Sequence, residues 1–506
     1  MRLLARFRPA GALGQGLLYA AAIAVAKGVA FAMVPVFTHH LAPSDYGRLD
    51  VLQTLADLLS VVVGLGLADL LYRRAGGADG EQNRRRAAAR IFTLALLSGA
   101  VFLVAGQVAA PLLAHLLPGG VAVLEVRLIL VSLSFSAVIL VALAWLRMRQ
   151  AAWLYFIASA GRAVLQAGLA LAALALGYGV AGVLGAGMAA CLALVVLLAL
   201  LQTRSTGLSR VQNFGLADLR PDAAYCGPLL LAGMAAFVLG SFDRWVLAAV
   251  SGTESVAVYA VAAKYALIVA VAMQPFELWW LARRFELLKA AGGERIVVSR
   301  ASSGVLLAGL CTLGMAALGP IAIRLMTPAD YHMATDLLAP LALAAGLHAC
   351  GILLNLGLYA GRTTWRAFRL EGAMAAIALI AYFTLIPLFG SWGAAWATLG
   401  VQALRLVCIV VLAQRERRLP YPLRAYLQFA AAVAALTVLT GAASSDPMRI
   451  AIGLAGAGGL AGTGLALGWL PADGLRARFS RWSVFPRRSV SGRSWRWRYP
   501  TPARPW

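Results

Sequence analysis

The sequence predicts an all-α polytopic membrane protein of about fourteen transmembrane helices. Its composition and its length are the two observations that predict this fold class. Of the 506 residues, 61% are hydrophobic and only 13% are charged, whereas roughly 25% are charged in an ordinary soluble domain. The mean hydropathy is +0.81, so a soluble fold would have too few polar side chains to cover its surface. Fourteen spans of about 20 residues fit within this length and leave short connections and one tail.

A helical window along the chain finds fourteen apolar segments that are long enough to cross a bilayer. The first segment is too long for the hydrophobic region of a cleaved signal peptide, so we expect it to be retained as span 1. The fourteen predicted spans are 12–38, 47–72, 91–117, 121–146, 152–176, 180–202, 224–250, 253–281, 300–325, 334–360, 370–390, 392–413, 425–443 and 449–470.

The connections between these spans differ in their content of lysine and arginine, and this difference predicts the topology. Alternate connections, together with both termini, hold 35 of the 44 basic residues, whereas the opposite connections hold three, Arg48, Arg324 and Arg449. Because short cytoplasmic loops are rich in basic residues, both termini are predicted to be cytoplasmic. The positive charge is spread over eight segments rather than gathered in one patch, which argues against binding to nucleic acid.

The chain resembles itself at a separation near 210 residues, which predicts two related lobes. Residues 41–45 after span 1 are matched by 250–254 after span 7, and the glycines of 179–182 are matched by those of 390–393. Each lobe has six spans, so the lobes share one orientation and a pseudo-two-fold axis along the membrane normal. The predicted units are the N-terminal lobe (1–202, spans 1–6), the C-terminal lobe (203–423, spans 7–12), spans 13–14 (424–470) and a tail (471–506).

The tail is rich in arginine and contains Trp482, Trp495, Trp497 and Trp506. Arginine mixed with tryptophan suits either stacking on single-stranded nucleic acid or anchoring at an anionic membrane surface. The last span delivers the tail to the cytoplasmic leaflet, so we predict that it binds anionic lipid.

No motif of an enzyme, a metal site or a cofactor site is present. The five cysteines stand singly in apolar segments, without a partner at metal-ligand spacing. The sequence also lacks a phosphate-binding loop, a zinc motif and the signature of a hydrolase triad. We therefore predict a non-enzymatic protein that needs no cofactor.

Several short motifs have a recognisable pattern. They are Pro-Val-Phe-Thr at 35–38, Leu-Ala-Pro-Ser-Asp-Tyr-Gly at 41–47, Gly-Leu-Gly-Leu at 64–67, Ser-Phe-Asp-Arg-Trp-Val-Leu at 241–247, Val-Tyr-Ala-Val at 258–261 and Gly-Ala-Ala-Trp-Ala-Thr at 393–398. Together they resemble bacterial polysaccharide-biosynthesis flippases of the Wzx type, over roughly residues 12–415. The Tyr-Gly and Asp-Arg pairs are the characteristic ones.

The resemblance implies the fold of the multidrug/oligosaccharidyl-lipid/polysaccharide exporter superfamily, with fourteen helices. The implied cargo is an undecaprenyl-diphosphate-linked oligosaccharide, moved from the cytoplasmic to the periplasmic leaflet of the bacterial inner membrane for O-antigen, capsule or exopolysaccharide synthesis. A polymerase or another glycan-assembly protein is an implied partner. The long tail and the Ala- and Gly-rich spans 13–14 depart from the family pattern, and the role of these two spans stays unassigned.

Basic residues inside the predicted spans are the candidate substrate ligands, because each costs about 2.5–3.5 kcal/mol at a helix centre on insertion scales. The clear acids at that depth are Asp57 and Asp243, so we expect a central cavity with surplus positive charge that suits a diphosphate. Lys27 and Lys264, near the middles of spans 1 and 8, are expected to hold it. The predicted cavity residues are Lys27, Lys264, Arg244, Arg127, Arg162 and Arg405, and the candidates for ion coupling or charge pairing are Asp57, Asp69 and Asp243.

One alternative function remains open on the same fold. An ion-coupled multidrug or small-molecule antiporter would use a few buried acids to bind protons or sodium, and Asp57, Asp69 and Asp243 could serve. A surplus of cations at the centre favours an anionic cargo instead.

Overall fold

The computed structural model describes residues 12–64, 66–208, 216–360 and 365–469, which form helices and no β-strand. The arginine-rich tail, and with it the expected lipid contact, lies outside the described residues. Within them, twelve helical segments are long and apolar enough to cross a membrane. Two of these, 226–289 and 365–416, contain a break at a glycine, so the twelve segments provide the fourteen spans.

The N-terminal lobe is built from eight helices. They are α1 (Ala12–His40, span 1), α2 and α3 (Pro43–Gly64 and Leu67–Gly76, span 2), α4 (Glu81–Leu116, span 3), α5 and α6 (Val123–Ser134 and Ser136–Met148, span 4), α7 (Ala152–Ala175, span 5) and α8 (Gly179–Thr206, span 6).

The C-terminal lobe and the last two spans continue the series. They are α9 (Leu216–Gly240, span 7), α10 (Asp243–Lys289, the end of span 7 and all of span 8), α11 (Gly293–Met326, span 9), a 3-10 turn (Ala329–Tyr331), α12 and α13 (Ala334–Leu354 and Leu356–Tyr359, span 10), α14 (Trp365–Glu416, spans 11 and 12), α15 (Leu423–Ala442, span 13) and α16 (Asp446–Ala466, span 14).

Two glycines turn the chain from one span into the next. Gly252 separates spans 7 and 8 with φ of 79°, and Gly390 separates spans 11 and 12 with φ of 56°. Residues with a Cβ rarely adopt a positive φ, so glycine is the residue that allows each sharp break. The two turns lie side by side, and the Ser391 hydroxyl donates to the Ser255 carbonyl oxygen at 3.4 Å between them.

A pair of ring contacts supports the internal repeat at the opposite end of the lobes. In the N-terminal lobe, Arg147 lies over the Tyr72 ring at 5.8 Å, and in the C-terminal lobe Arg284 lies over the Tyr359 ring at 5.4 Å. The residues correspond at an offset of 212 positions, with the cation and the ring exchanged between the lobes. The same pair of helix ends is therefore joined by the same kind of contact in both lobes.

The lobes meet at the end of the molecule that the charge pattern predicts to be periplasmic. Gly47 of span 2 packs so closely on the turn after span 7 that a Cβ there would overlap the carbonyl oxygen of Thr253. Beside it, the ring centroids of Tyr46 and Tyr331 lie 5.8 Å apart, and the Tyr331 hydroxyl donates to the Leu41 carbonyl oxygen at 3.4 Å. The Tyr-Gly motif is thus a lobe-to-lobe contact, and only glycine permits the approach.

Replacing Gly47 with valine should force the lobes apart at this end. The new side chain has no room beside the Thr253 backbone, so the state with this end closed loses stability relative to states with it open. We expect a cysteine placed at Gln53 to react faster with a membrane-impermeant maleimide from the periplasmic side. Gly400→Val is the matched control, since a Cβ at Gly400 meets no atom within 4 Å. Equal labelling in both variants would contradict the role of Gly47 in closing this end of the molecule.

Spans 13 and 14 pack against the outside of span 9. Gly453 faces Ala317 and Gly464 faces Leu306, each so closely that a Cβ on the glycine would displace the opposing side chain. Small residues let helices approach in membranes, where packing rather than water drives association. This contact explains the glycines at positions 453 and 464 of span 14. A mostly apolar groove of about 680 Å³ lies between the two spans.

Candidate functional site

Three adjoining cavities lie among the spans of the two lobes. The portal chamber, about 720 Å³, is bordered by spans 1, 2, 5, 6 and 8. The C-lobe chamber, about 420 Å³, lies between span 2 and spans 7, 8, 10 and 12, and the N-lobe chamber, about 410 Å³, lies among spans 2, 4, 5 and 6. Gln53 of span 2 borders all three, so the chambers meet at that side chain.

The portal chamber brings together the two lysines that the sequence analysis singled out. Lys27 of span 1 and Lys264 of span 8 both line it, among apolar side chains such as Phe31 and Ile268. Lys27 makes no ion pair with any residue in the described part of the chain, and its side chain is exposed to the chamber. A free ammonium group in an apolar chamber is suited to an anionic group attached to a lipid.

Lys264, by contrast, has a carboxylate partner, which is Asp50 of span 2. The Lys264 ammonium lies 2.8 Å from Asp50 Oδ1 and donates to the Tyr46 hydroxyl at 3.0 Å. Arg244 Nε lies 2.9 Å from the other oxygen, Asp50 Oδ2. Asp50 is only 3% exposed, so one buried carboxylate of the N-terminal lobe holds two cations of the C-terminal lobe.

Asp50 is not among the site residues expected from the sequence, although it sets the charge balance of the site. The expectation that the centre is short of anions was therefore wrong around span 2. A signal was present, because Tyr46, Asp50, Gln53 and Asp57 follow one another at the spacing of a single helix face. All four line or border the contact between the lobes.

The C-lobe chamber is lined by acids as well as cations. Asp243 is buried and accepts hydrogen bonds from the Tyr259 hydroxyl and, at 3.0 Å, from the backbone N–H of Arg244. The Ser241 hydroxyl reaches across the lobes to Asp57 Oδ2 at 3.4 Å. Asp243 and Arg244 line the same chamber although they are neighbours in sequence, and Arg244 Nη1 donates to the Gly240 carbonyl oxygen at 3.1 Å.

The N-lobe chamber contains Arg162 of span 5 together with hydroxyl and amide side chains. Arg162 makes no ion pair with any described residue, and its Nε atom is buried without a hydrogen-bond acceptor. Ser136 also has a buried hydroxyl without a partner. The chamber therefore presents unused donors.

Three of the expected site residues do not line a chamber. Arg405 is bound by Glu371 through two nitrogens, the shorter contact being 2.6 Å, and its Nη1 donates to His348 at 3.3 Å. Glu371 was overlooked because it falls at a span boundary. Arg127 is exposed, one turn after the start of span 4. Asp69 is exposed on α3, near the C-terminal end of span 2. Among the described residues, no cluster of histidine, cysteine and acidic side chains could hold a metal ion.

Comparison with known proteins decides the family. Residues 13–276 match the model of the polysaccharide biosynthesis protein family, which is more than half of the chain. The chain belongs to this family. No curated protein sequence matches it.

Solved structures share the fold at low sequence identity. The lipid II flippase MurJ, in an inward closed conformation, is 11% identical with a TM-score of 0.69, and the match covers 88% of this chain and 98% of that one. The multidrug transporter DinF-BH is 18% identical, with a TM-score of 0.56 and coverage of 80% and 96%. A transporter of the MOP superfamily from Pyrococcus furiosus is 17% identical, with a TM-score of 0.52 and coverage of 80% of this chain and 96% of that one. The fold is thus one of membrane flippases and transporters.

Proposed function

We propose that the protein is a flippase that carries an undecaprenyl-diphosphate-linked oligosaccharide across the bacterial inner membrane for O-antigen, capsule or exopolysaccharide synthesis. The observation that carries this proposal is the position of Lys27, a cation without a carboxylate partner in the described chain, inside an apolar chamber that lies between the lobes. A diphosphate that leaves bulk water needs a positive partner, while the attached polyprenyl chain needs apolar surroundings. Family membership supports the same assignment.

Translocation follows from rocking of the two lobes about the chambers between them. The headgroup enters the portal chamber from the cytoplasmic side and binds at Lys27, while the Gly47 contact keeps the periplasmic end closed. Opening that contact and closing the opposite end releases the headgroup outward. The units 1–202 and 203–423 are the proposed moving bodies, and the remaining spans 13–14 (424–470) move with span 9, on which they pack.

Depletion of the protein in its host tests this function. We expect undecaprenyl-linked oligosaccharide to accumulate inside the cell and surface glycan to fall, with unchanged susceptibility to cationic dyes and drugs. Normal surface glycan together with increased drug susceptibility would instead support the ion-coupled antiporter.

The orientation in the membrane gives a further expected result. Because the loops rich in arginine and lysine lie on one side, reporter fusions after residues 423 and 475 should report a cytoplasmic position, and a fusion after residue 443 a periplasmic one. A cytoplasmic position after residue 443 would contradict spans 13 and 14 as membrane-spanning helices. The proposed partners of the protein are a polymerase or another glycan-assembly protein, and anionic lipid at the tail, 471–506.

A further inference from the structure

The N-lobe chamber has the lining of a sugar site. Its polar side chains, apart from the acid Asp57, are Gln53, Ser60, Ser132, Ser136, Arg162 and Gln166, contributed by spans 2, 4 and 5. Hydroxyl and amide groups both donate and accept hydrogen bonds, which is what a ring of sugar hydroxyls requires. The volume of about 410 Å³ falls in the range of small-molecule sites.

Arg162 gives this chamber a cation that makes no ion pair in the described part of the chain. The one acid that borders the chamber, Asp57, accepts a hydrogen bond from Ser241 of the other lobe, and no ion pair joins it to Arg162. The Nε of Arg162 and the hydroxyl of Ser136 are both buried without a partner. Leaving buried donors unused is unfavourable, and a planar guanidinium matches a carboxylate in geometry as well as in charge.

The cations of the C-lobe chamber differ from Arg162 in having carboxylate partners. There, Lys264 and Arg244 both pair with Asp50, and Arg244 Nη1 also lies 3.8 Å from Asp243 Oδ1. Of the cations that line the three chambers, Lys27 and Arg162 are without an ion pair in the described chain, and both belong to the N-terminal lobe. Gln166 borders both of their chambers and lies one helical turn from Arg162.

We infer that the N-lobe chamber is a glycan subsite in which Arg162 binds the carboxylate of an acidic sugar, while Lys27 holds the diphosphate. The substrate class is then a polyprenyl-diphosphate glycan with a uronic acid, or another carboxylate-bearing sugar, next to the diphosphate. This inference rests on the proposed function and adds the selectivity of its site.

Two synthetic lipids test the inference with the purified full-length protein in nanodiscs. One is undecaprenyl diphosphate carrying a single glucuronic acid, and the other carries a single glucose. We expect the wild type to bind the glucuronyl lipid about tenfold more tightly or better, as for one charged hydrogen bond. Arg162→Gln should bring the ratio of the two affinities close to one, and Arg162→Lys should keep part of the preference. Arg127→Gln, an arginine outside the chambers, is the matched control and should keep the full ratio.

The possible failures are distinguishable. A ratio that persists in Arg162→Gln, or an equal loss of affinity for both lipids, would overturn the glycan assignment. If the wild type binds neither lipid, the proposed function itself fails. Thermal unfolding of each variant shows that it is folded, and Ser136→Ala, which leaves the charges unchanged, should weaken binding of both lipids if sugar hydroxyls occupy the chamber. Unchanged binding by Ser136→Ala would place the sugar elsewhere.

Discussion

Lys27→Ala should reduce glycan export by about tenfold or more, the loss expected for one charge-assisted contact, while the protein still inserts into the membrane. Lys27 lines the portal chamber without a carboxylate partner in the described chain, so its removal takes away the positive charge offered to the diphosphate. Removing a charge from a span makes insertion easier. The measurement is surface glycan in cells that lack the natural protein and carry each variant, normalised to the amount of protein in the membrane.

Two variants separate charge from structure in this experiment. Lys27→Arg should retain part of the export, because the charge remains although its geometry differs. Arg127→Ala removes a cation from the exposed start of span 4 and should export normally. Normal export by Lys27→Ala, at normal protein levels, would refute the role of Lys27.

Asp50→Asn should destabilise the protein and stop transport. The substitution leaves Lys264 and Arg244 half-buried at the lobe interface without the carboxylate that they share. Breaking a buried ion pair by removing one partner typically costs about 3–5 kcal/mol, because the remaining charge stays uncompensated. The expected result is a lower unfolding temperature of the purified protein and surface glycan reduced by about tenfold or more.

A second substitution tests whether the loss of charge balance causes the lower stability of Asp50→Asn. Adding Lys264→Met to Asp50→Asn removes one of the two cations that have lost their shared carboxylate, so the double variant should be more stable than Asp50→Asn alone. Asp69→Asn is the matched control, since Asp69 is exposed on the same span and lines no chamber. A double variant less stable than the single one, or an Asp50→Asn protein as stable as the wild type, would contradict this account.

The sequence predicted the spans well because the bilayer imposes length and apolarity on each one separately. Positions where the chain breaks within a span, such as Phe135 between α5 and α6, carried no such signal. Gly252 and Gly390 were visible only as parts of the repeat, whereas the structure shows their positive φ.

The site was harder to predict because charge pairing depends on residues from different spans. Lys27 and Lys264 were placed in one cavity from depth alone, and the structure brings both to the portal chamber. The partners Asp50 and Glu371 were missed since each lies near a predicted span boundary. Which cation stays unpaired is decided by lobe-to-lobe packing, which hydropathy does not report.

The central claim is that the chambers carry a lipid-linked glycan from one leaflet to the other, and reconstituted vesicles measure this directly. Vesicles contain the purified protein and undecaprenyl diphosphate bearing one glucuronic acid in the inner leaflet, and a membrane-impermeant glucuronidase outside reports each sugar that arrives. The account predicts that wild-type protein exposes the sugar faster than vesicles without protein, and that Lys27→Ala removes most of this increase. Equal rates with and without wild-type protein, or an undiminished rate with Lys27→Ala, would contradict it.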